Sequence, residues 1–155
     1  MRVFNAVAAL TAFIAGICLC ALVVVLGWQV FGRYVLNASP SWTEPMALTL
    51  MSVVALFGAA LGVRAETHFN FPTLVDSAPR SVHVVLKSLA RLIGIVFGVA
   101  LAGFGAFLVQ DAWSTPMAGA PVPEGVSYLG LTAGGALIAL FAFERLISGD
   151  PAKES

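Results

Sequence analysis

The sequence predicts an all-α integral membrane protein: four transmembrane helices, with a short interfacial amphipathic helix between the second and third spans. Three observations carry this reading. Hydrophobic residues make up 59% of the chain and charged residues 10%, with a mean hydropathy of +0.95, far from the composition of water-soluble domains. The charges are spaced so that they leave one uncharged stretch of thirty residues, Val3 to Gly32, and three of nineteen, at 45–63, 92–110 and 125–143. Nineteen helical residues rise roughly 28 Å, one hydrocarbon core, so the bilayer itself explains why that length recurs. Within lipid the backbone must satisfy its own hydrogen bonds, and the ten-residue alternation of a barrel is absent, so the spans are helices.

The chain reads as a single membrane domain, 1–155, with spans near 5–32, 44–63, 90–110 and 125–145 and a tail at 149–155. The first stretch is long enough for roughly 45 Å of helix and must tilt or protrude. Arg2 followed by apolar residues could open a signal peptide. The run is too long for one and more membrane follows, so we read it as an anchor. Cys18 and Cys20 lie within it, turned to different helix faces with no His or acid nearby, which suits packing.

Gln29 to Pro45 closes the first span and opens the second as a polar and aromatic knot. Arg33 and Glu44 are the only charges between Arg2 and Arg64, and they stand beside Tyr34 and Trp42. Aromatic residues of this kind mark a membrane surface. Ser41-Trp42-Thr43-Glu44 has the S-x-x-E form of a capping box, which Pro45 complicates, so the second span should start between Trp42 and Pro45. Arg33 and Glu44 can pair across the knot, or each can be an independent interfacial charge. Asn37-Ala38-Ser39 fits a glycosylation acceptor, relevant only in a eukaryotic secretory setting.

The connection from Arg64 to Arg91 carries two helix-start signals, Asn70-Phe71-Pro72 and Ser77-Ala78-Pro79. They predict an interfacial segment over about 69–89: a short helix over Phe69–Ser77, then an amphipathic stretch over 80–91 that runs into the third span. Val82, Val85, Leu86 and Leu89 form its oily face and Arg80, His83, Lys87 and Arg91 its basic face, placed to meet anionic lipid headgroups or simply water. Arg64, His68, Arg80, His83, Lys87 and Arg91 are thus the interfacial anchors of that side.

Small residues recur four apart at Gly58 and Gly62, at Gly94, Gly98, Ala102 and Ala106, and at Gly130 and Gly134. They predict close helix contacts, although glycine and alanine are also simply common in membrane helices. The loop 111–124, with Pro116, Gly119, Pro121 and Pro123, should fold as turns.

Topology follows from basic residues. With the amino terminus inside, Arg2, Arg64, Arg80, Lys87, Arg91, Arg145 and Lys153 are cytoplasmic and Arg33 alone is outside, seven of eight on one side. Both termini are expected in the cytoplasm, with the knot and the loop 111–124 opposite.

Function is constrained mainly by exclusions. The zero net charge gives no basic surface for nucleic acid. His68 and His83 sit in a connection rather than facing one another in spans, so no haem or metal site is expected. No nucleophile–base constellation or phosphate loop occurs, so no catalytic residue is assigned. The spans lack the midplane ionisable groups that couple ion and substrate movement, and such helices suit packing against another membrane protein better than lining a path.

Phe31-Gly32-Arg33-Tyr34-Val35-Leu36-Asn37-Ala38-Ser39 with Trp42-Thr43-Glu44 resembles the signature of the small membrane (permease) subunit, DctQ-type, of tripartite ATP-independent periplasmic (TRAP) transporters. The likeness continues through Gly58-Ala59-Ala60, Glu66-Thr67-His68-Phe69, Leu74 to Pro79, Thr115-Pro116 and Val126-Ser127-Tyr128-Leu129. Members often have a second acid where Pro45 stands, an arginine near Leu48 and a proline near Thr132, and this chain departs at each.

The resemblance implies a noncatalytic subunit in a bacterial inner membrane, scaffolding a large elevator-type membrane subunit that holds the substrate and sodium sites. A periplasmic binding protein would deliver an organic acid, of dicarboxylate or sialic-acid type. No cofactor is expected on this chain and no substrate-binding residue is assigned. The knot residues Arg33, Tyr34, Asn37, Ser39, Trp42 and Glu44 become a periplasmic interface, with lipids and the two proteins as partners. The alternatives are a membrane anchor of a redox enzyme, which would need buried histidine ligands, and a small self-assembling exporter, which would need a buried acid.

Overall fold

The structure, a computed structural model, describes residues 2–38, 40–65 and 80–148, with the side chains of 80–85 excepted. Four long helices run through it: α1 (Arg2–Tyr34), α2 (Thr43–Arg64), α3 (Arg80–Asp111) and α4 (Leu129–Ser148), the last preceded by a short 3-10 turn, Glu124–Tyr128. All four are long and apolar enough to cross a membrane, and no strand occurs among the described residues. The all-α, four-span expectation therefore holds. The expected short helix over Phe69–Ser77 lies outside the described residues. Beyond it, α3 starts at Arg80 and runs unbroken to Asp111, so the amphipathic stretch and the third span are one helix of about 48 Å.

α4 is the hub. It packs against α3 on one side and α2 on another, while α1 joins chiefly through α2. Its neighbours on both sides explain its burial: a third of the fourth span's apolar window is buried, against 6% for the first. The core is small, built from Ala8, Ala60, Ile138 and Phe141 with Val7, Leu56, Leu101 and Leu137 packed around them. All four helices contribute to it. The rest of the apolar surface points outward, with Phe13, Val24, Phe97, Phe104 and Phe107 among the exposed residues, as expected where the solvent is lipid.

Small residues decide how closely the helices approach. A Cβ at Gly98 would lie 2.8 Å from the Gly135 carbonyl, and one at Gly135 would lie 2.6 Å from the Ala102 nitrogen. At Gly105 it would lie 2.7 Å from the Thr132 hydroxyl, so three points along α3 hold α4 at backbone contact. On its other side α4 meets α2: a Cβ at Gly130 would reach Ser52 Oγ at 2.8 Å, and one at Gly134 would collide with Leu56 Cβ. Gly134 and Gly135 are neighbours in sequence, about 100° apart around the helix, and they serve different partners.

Candidate functional site

At the knot end, α1 stops because Asn37 takes a left-handed conformation, φ 49°, which asparagine tolerates better than most side chains. The chain turns back far enough for the Ala38 amide to donate to the Gly32 carbonyl at 3.0 Å. Only a small residue fits at 32, where a Cβ would lie 2.9 Å from the Ala38 oxygen. α2 begins at Thr43, within the expected interval, but without the capping box. Trp42 occupies the N-cap position in helical geometry with no side-chain cap, and the fully buried Thr43 donates its hydroxyl to the Pro40 carbonyl at 2.7 Å. The Ser41 hydroxyl points elsewhere, donating to the Gly119 carbonyl at 3.2 Å.

That last bond ties the knot to the loop 112–123, which is more ordered than turns on a surface. Pro116 and Pro123 form an isolated antiparallel bridge, flanked by Met117 N–H to the Val122 carbonyl and Glu124 N–H to the Thr115 carbonyl, both 2.9 Å. Met117 and Ala120 are buried beneath it. Gly119 makes the close approach to Ser41 with φ 84°, a backbone angle other residues rarely adopt. One level deeper, the Thr49 and Ser127 hydroxyls lie 3.2 Å apart and join α2 to the 3-10 turn. The knot end is thus one joined surface, with Tyr34, Trp42 and Trp113 exposed on it.

Arg33 and Glu44 are both exposed, and among the described residues no ion pair joins them. They are separate charges on the same rim. Ser39 lies outside the described residues.

An ion pair lies at the opposite end. Arg64, the last residue of α2, places Nε 2.9 Å and a terminal nitrogen 3.2 Å from the two carboxylate oxygens of Glu144, a bidentate arrangement. The same guanidinium donates to Asn5 of α1 and stands 5.6 Å from the centroid of the fully buried Phe141 ring. Arg145 completes the junction by donating Nε–H to the Arg64 carbonyl at 2.6 Å, satisfying an oxygen that the end of α2 leaves without a helical partner. Sequence reasoning placed Arg64 as an interfacial anchor and missed its partners, which lie 59 and 80 residues away.

Of the remaining anchors, His68 lies outside the described residues. Arg80 and His83 fall on the α3 backbone with their side chains undescribed, and Lys87 and Arg91 are half-buried and partnered. Among the packing glycines, Gly94, Gly98, Gly130 and Gly134 are buried against neighbouring helices, and Gly62 is half-buried. Gly58 is exposed, and a Cβ there would meet nothing within 4 Å. Gly105 and Gly135, not singled out from sequence, also stand at backbone contact, where a Cβ would lie 2.7 and 2.6 Å from its nearest neighbour. Among the described residues no group of three or more metal-ligating side chains occurs, and Cys18 and Cys20 are free thiols.

Charges confined to two ends, glycine-lined helix contacts and an apolar perimeter define a multi-pass membrane protein built for packing. The family model for the DctQ component of tripartite ATP-independent periplasmic transporters matches residues 22–151. The chain belongs to that family and is a TRAP transporter small permease subunit, not an enzyme. The sialic acid TRAP transporter small permease protein SiaQ of Vibrio cholerae serotype O1 is 32% identical to it over 66 residues, 43% of this chain and 38% of that protein.

Proposed function

We propose that this chain scaffolds a larger membrane subunit in a sodium-coupled uptake system for organic acids, of dicarboxylate or sialic-acid type. It would sit in a bacterial inner membrane with both termini cytoplasmic and the knot end periplasmic. The observation that carries this reading is the absence of any Asp, Glu, His, Lys or Arg in the middle of a span, in a chain of this family. Ion and substrate coupling needs such groups or clustered polar ones near the midplane, so they belong on the partner, as does the sodium. The apolar perimeter supplies area for that partner, and the joined loops at the knot end offer a rim to a substrate-binding protein. The basic residues on the opposite side favour a cytoplasmic location for it.

The decisive experiment is co-purification from membranes together with uptake of labelled organic acid. A large multi-span protein should be recovered with this chain, and uptake should require both. Uptake by this chain alone, or recovery without a multi-span partner, would overturn the proposal. Labelling a cysteine placed at residue 155 tests topology separately, because reaction from the periplasmic side would reverse it. The expected interfacial segment would brace this scaffold in the membrane, a role that is refuted if deleting 69–79 leaves assembly and uptake unchanged.

A further inference from the structure

We propose that Arg64 is a latch whose closure makes the docking of α1 conditional on the α2–α4 contact. Three helices converge on this one residue. Glu144 of α4 takes its guanidinium, Arg145 of α4 takes its carbonyl, and Asn5 of α1 takes a remaining N–H of the same guanidinium. The Glu144 residue is 9% exposed, and the pair closes directly over the core of Ala8, Ala60, Ile138 and Phe141.

A carboxylate this buried is tolerated when a cation neutralises it and poorly tolerated alone. α4 therefore settles on α2 in the same event that pairs Glu144 with Arg64. Pairing also fixes the direction of the guanidinium, and only a guanidinium so aimed presents an N–H to Asn5. α1 has a narrow contact face, with Ala8, Thr11 and Gly32 its only buried residues, so a polar tie near its amino-terminal end adds materially to its hold. The latch also sets where the chain leaves α2 for the 66–79 connection, since Arg64 is the last residue of that helix. This inference rests on packing within the chain and is independent of the transport reading.

The test uses cysteine pairs in membranes of cells making the whole transporter, with Cys18 and Cys20 replaced by alanine. Ala60→Cys with Ile138→Cys reports the α2–α4 contact, and Ala8→Cys with Ala60→Cys reports α1 docking. Thr49→Cys with Ser127→Cys reports the far end. Copper-phenanthroline oxidation reads each as a disulfide yield.

Arg64→Leu or Glu144→Leu alone should lower the first two yields at least threefold and leave the third unchanged. The double variant Arg64→Leu/Glu144→Leu should restore the α2–α4 yield while α1 docking stays low. Asn5→Ala should lower α1 docking alone. If a single variant fails to accumulate but the apolar double accumulates, the same conclusion follows. The proposal is overturned if the single variants leave both yields within twofold of the parent. It is equally overturned if the apolar double behaves like the singles or fails to accumulate, or if Asn5→Ala leaves α1 docked.

Discussion

Replacing Gly135 with alanine adds one methyl group where α4 lies in backbone contact with α3. The new Cβ would stand 2.6 Å from the Ala102 nitrogen, 2.8 Å from Leu101 Cβ and 2.9 Å from the Gly98 oxygen. Two of these three atoms are helix backbone and cannot swing away, so α3 and α4 must separate by about 0.8 Å to reach ordinary contact. A gap of that size forfeits roughly a quarter to a half of the dispersion energy at each pair it opens, along a seam that also includes Gly98 and Gly105. Overpacking of this kind typically costs about 1–3 kcal/mol. Alanine also favours helix over glycine by about 1 kcal/mol, which offsets part of that.

Gly58→Ala and Gly103→Ala are the controls. A Cβ at either meets nothing within 4 Å, so only the propensity gain remains. The propensity gain is common to all three variants, so thermal unfolding in detergent, followed through the fluorescence of Trp28, Trp42 and Trp113, should place Gly135→Ala below both controls by the overpacking cost, about 1–3 kcal/mol. At roughly 2–4 °C per kcal/mol for a chain of this size, the separation is several degrees. Equal midpoints for Gly135→Ala and Gly58→Ala would show that backbone contact does not hold α3 against α4, and the hub description would fail with it.

Gly119→Ala should loosen the joined loops, because the new residue would have to hold a left-handed backbone against the Ser41 carbonyl 2.6 Å away. Hydrogen exchange at the Met117 and Glu124 amides should accelerate about tenfold, the equivalent of ~1.4 kcal/mol. Thr49→Ala or Ser127→Ala removes one member of a single interhelical hydroxyl contact and should cost only about 0.6 kcal/mol in unfolding measurements, the average for such bonds in a membrane. Arg33→Ala and Glu44→Ala, measured for complex assembly and uptake, should each impair one or both. In a double-substitution cycle their effects should add with a coupling near zero, since the two side chains are exposed and unpaired with one another among the described residues. Normal uptake in both single variants would reduce the rim to plain interfacial anchoring.

The spans were legible because a bilayer imposes one length on every helix, and Glu44, Arg64, Arg91, Asp111, Glu124 and Glu144 bracket that length in the linear order. Gly98, Gly130 and Gly134 stood out for a similar reason, since four-residue spacing projects onto one helix face. Gly135 escaped because α4 has two occupied faces: Gly130 and Gly134 share the one toward α2, while Gly135 stands on the other with no glycine four residues away. The ion pair escaped for a different reason. Arg33 and Glu44 are eleven residues apart and invite pairing, whereas Arg64 and Glu144 are eighty apart and meet only once two helices have been set side by side. Counting positive charges treats Arg64 as a signpost for orientation, and nothing in a linear count tells a signpost from a structural tie. The knot's capping signal was misleading because Thr43 bonds back to Pro40, freeing Ser41 for a loop 78 residues away.

The glycine doublet at 134 and 135 also removes a degree of freedom that most membrane helices keep. A helix touching one neighbour can roll about its own axis and trade one set of contacts for another with little penalty. Rolling α4 to ease Leu56 away from Gly134 would drive the flank of Gly135 into Ala102, and the opposite roll would reverse the collision. Its azimuth is set from both sides, much as a key is held by cuts on two edges. Glu144 lies farther along that same shaft, so the angle at which its carboxylate faces Arg64 is decided near the middle of the bilayer, about 15 Å away.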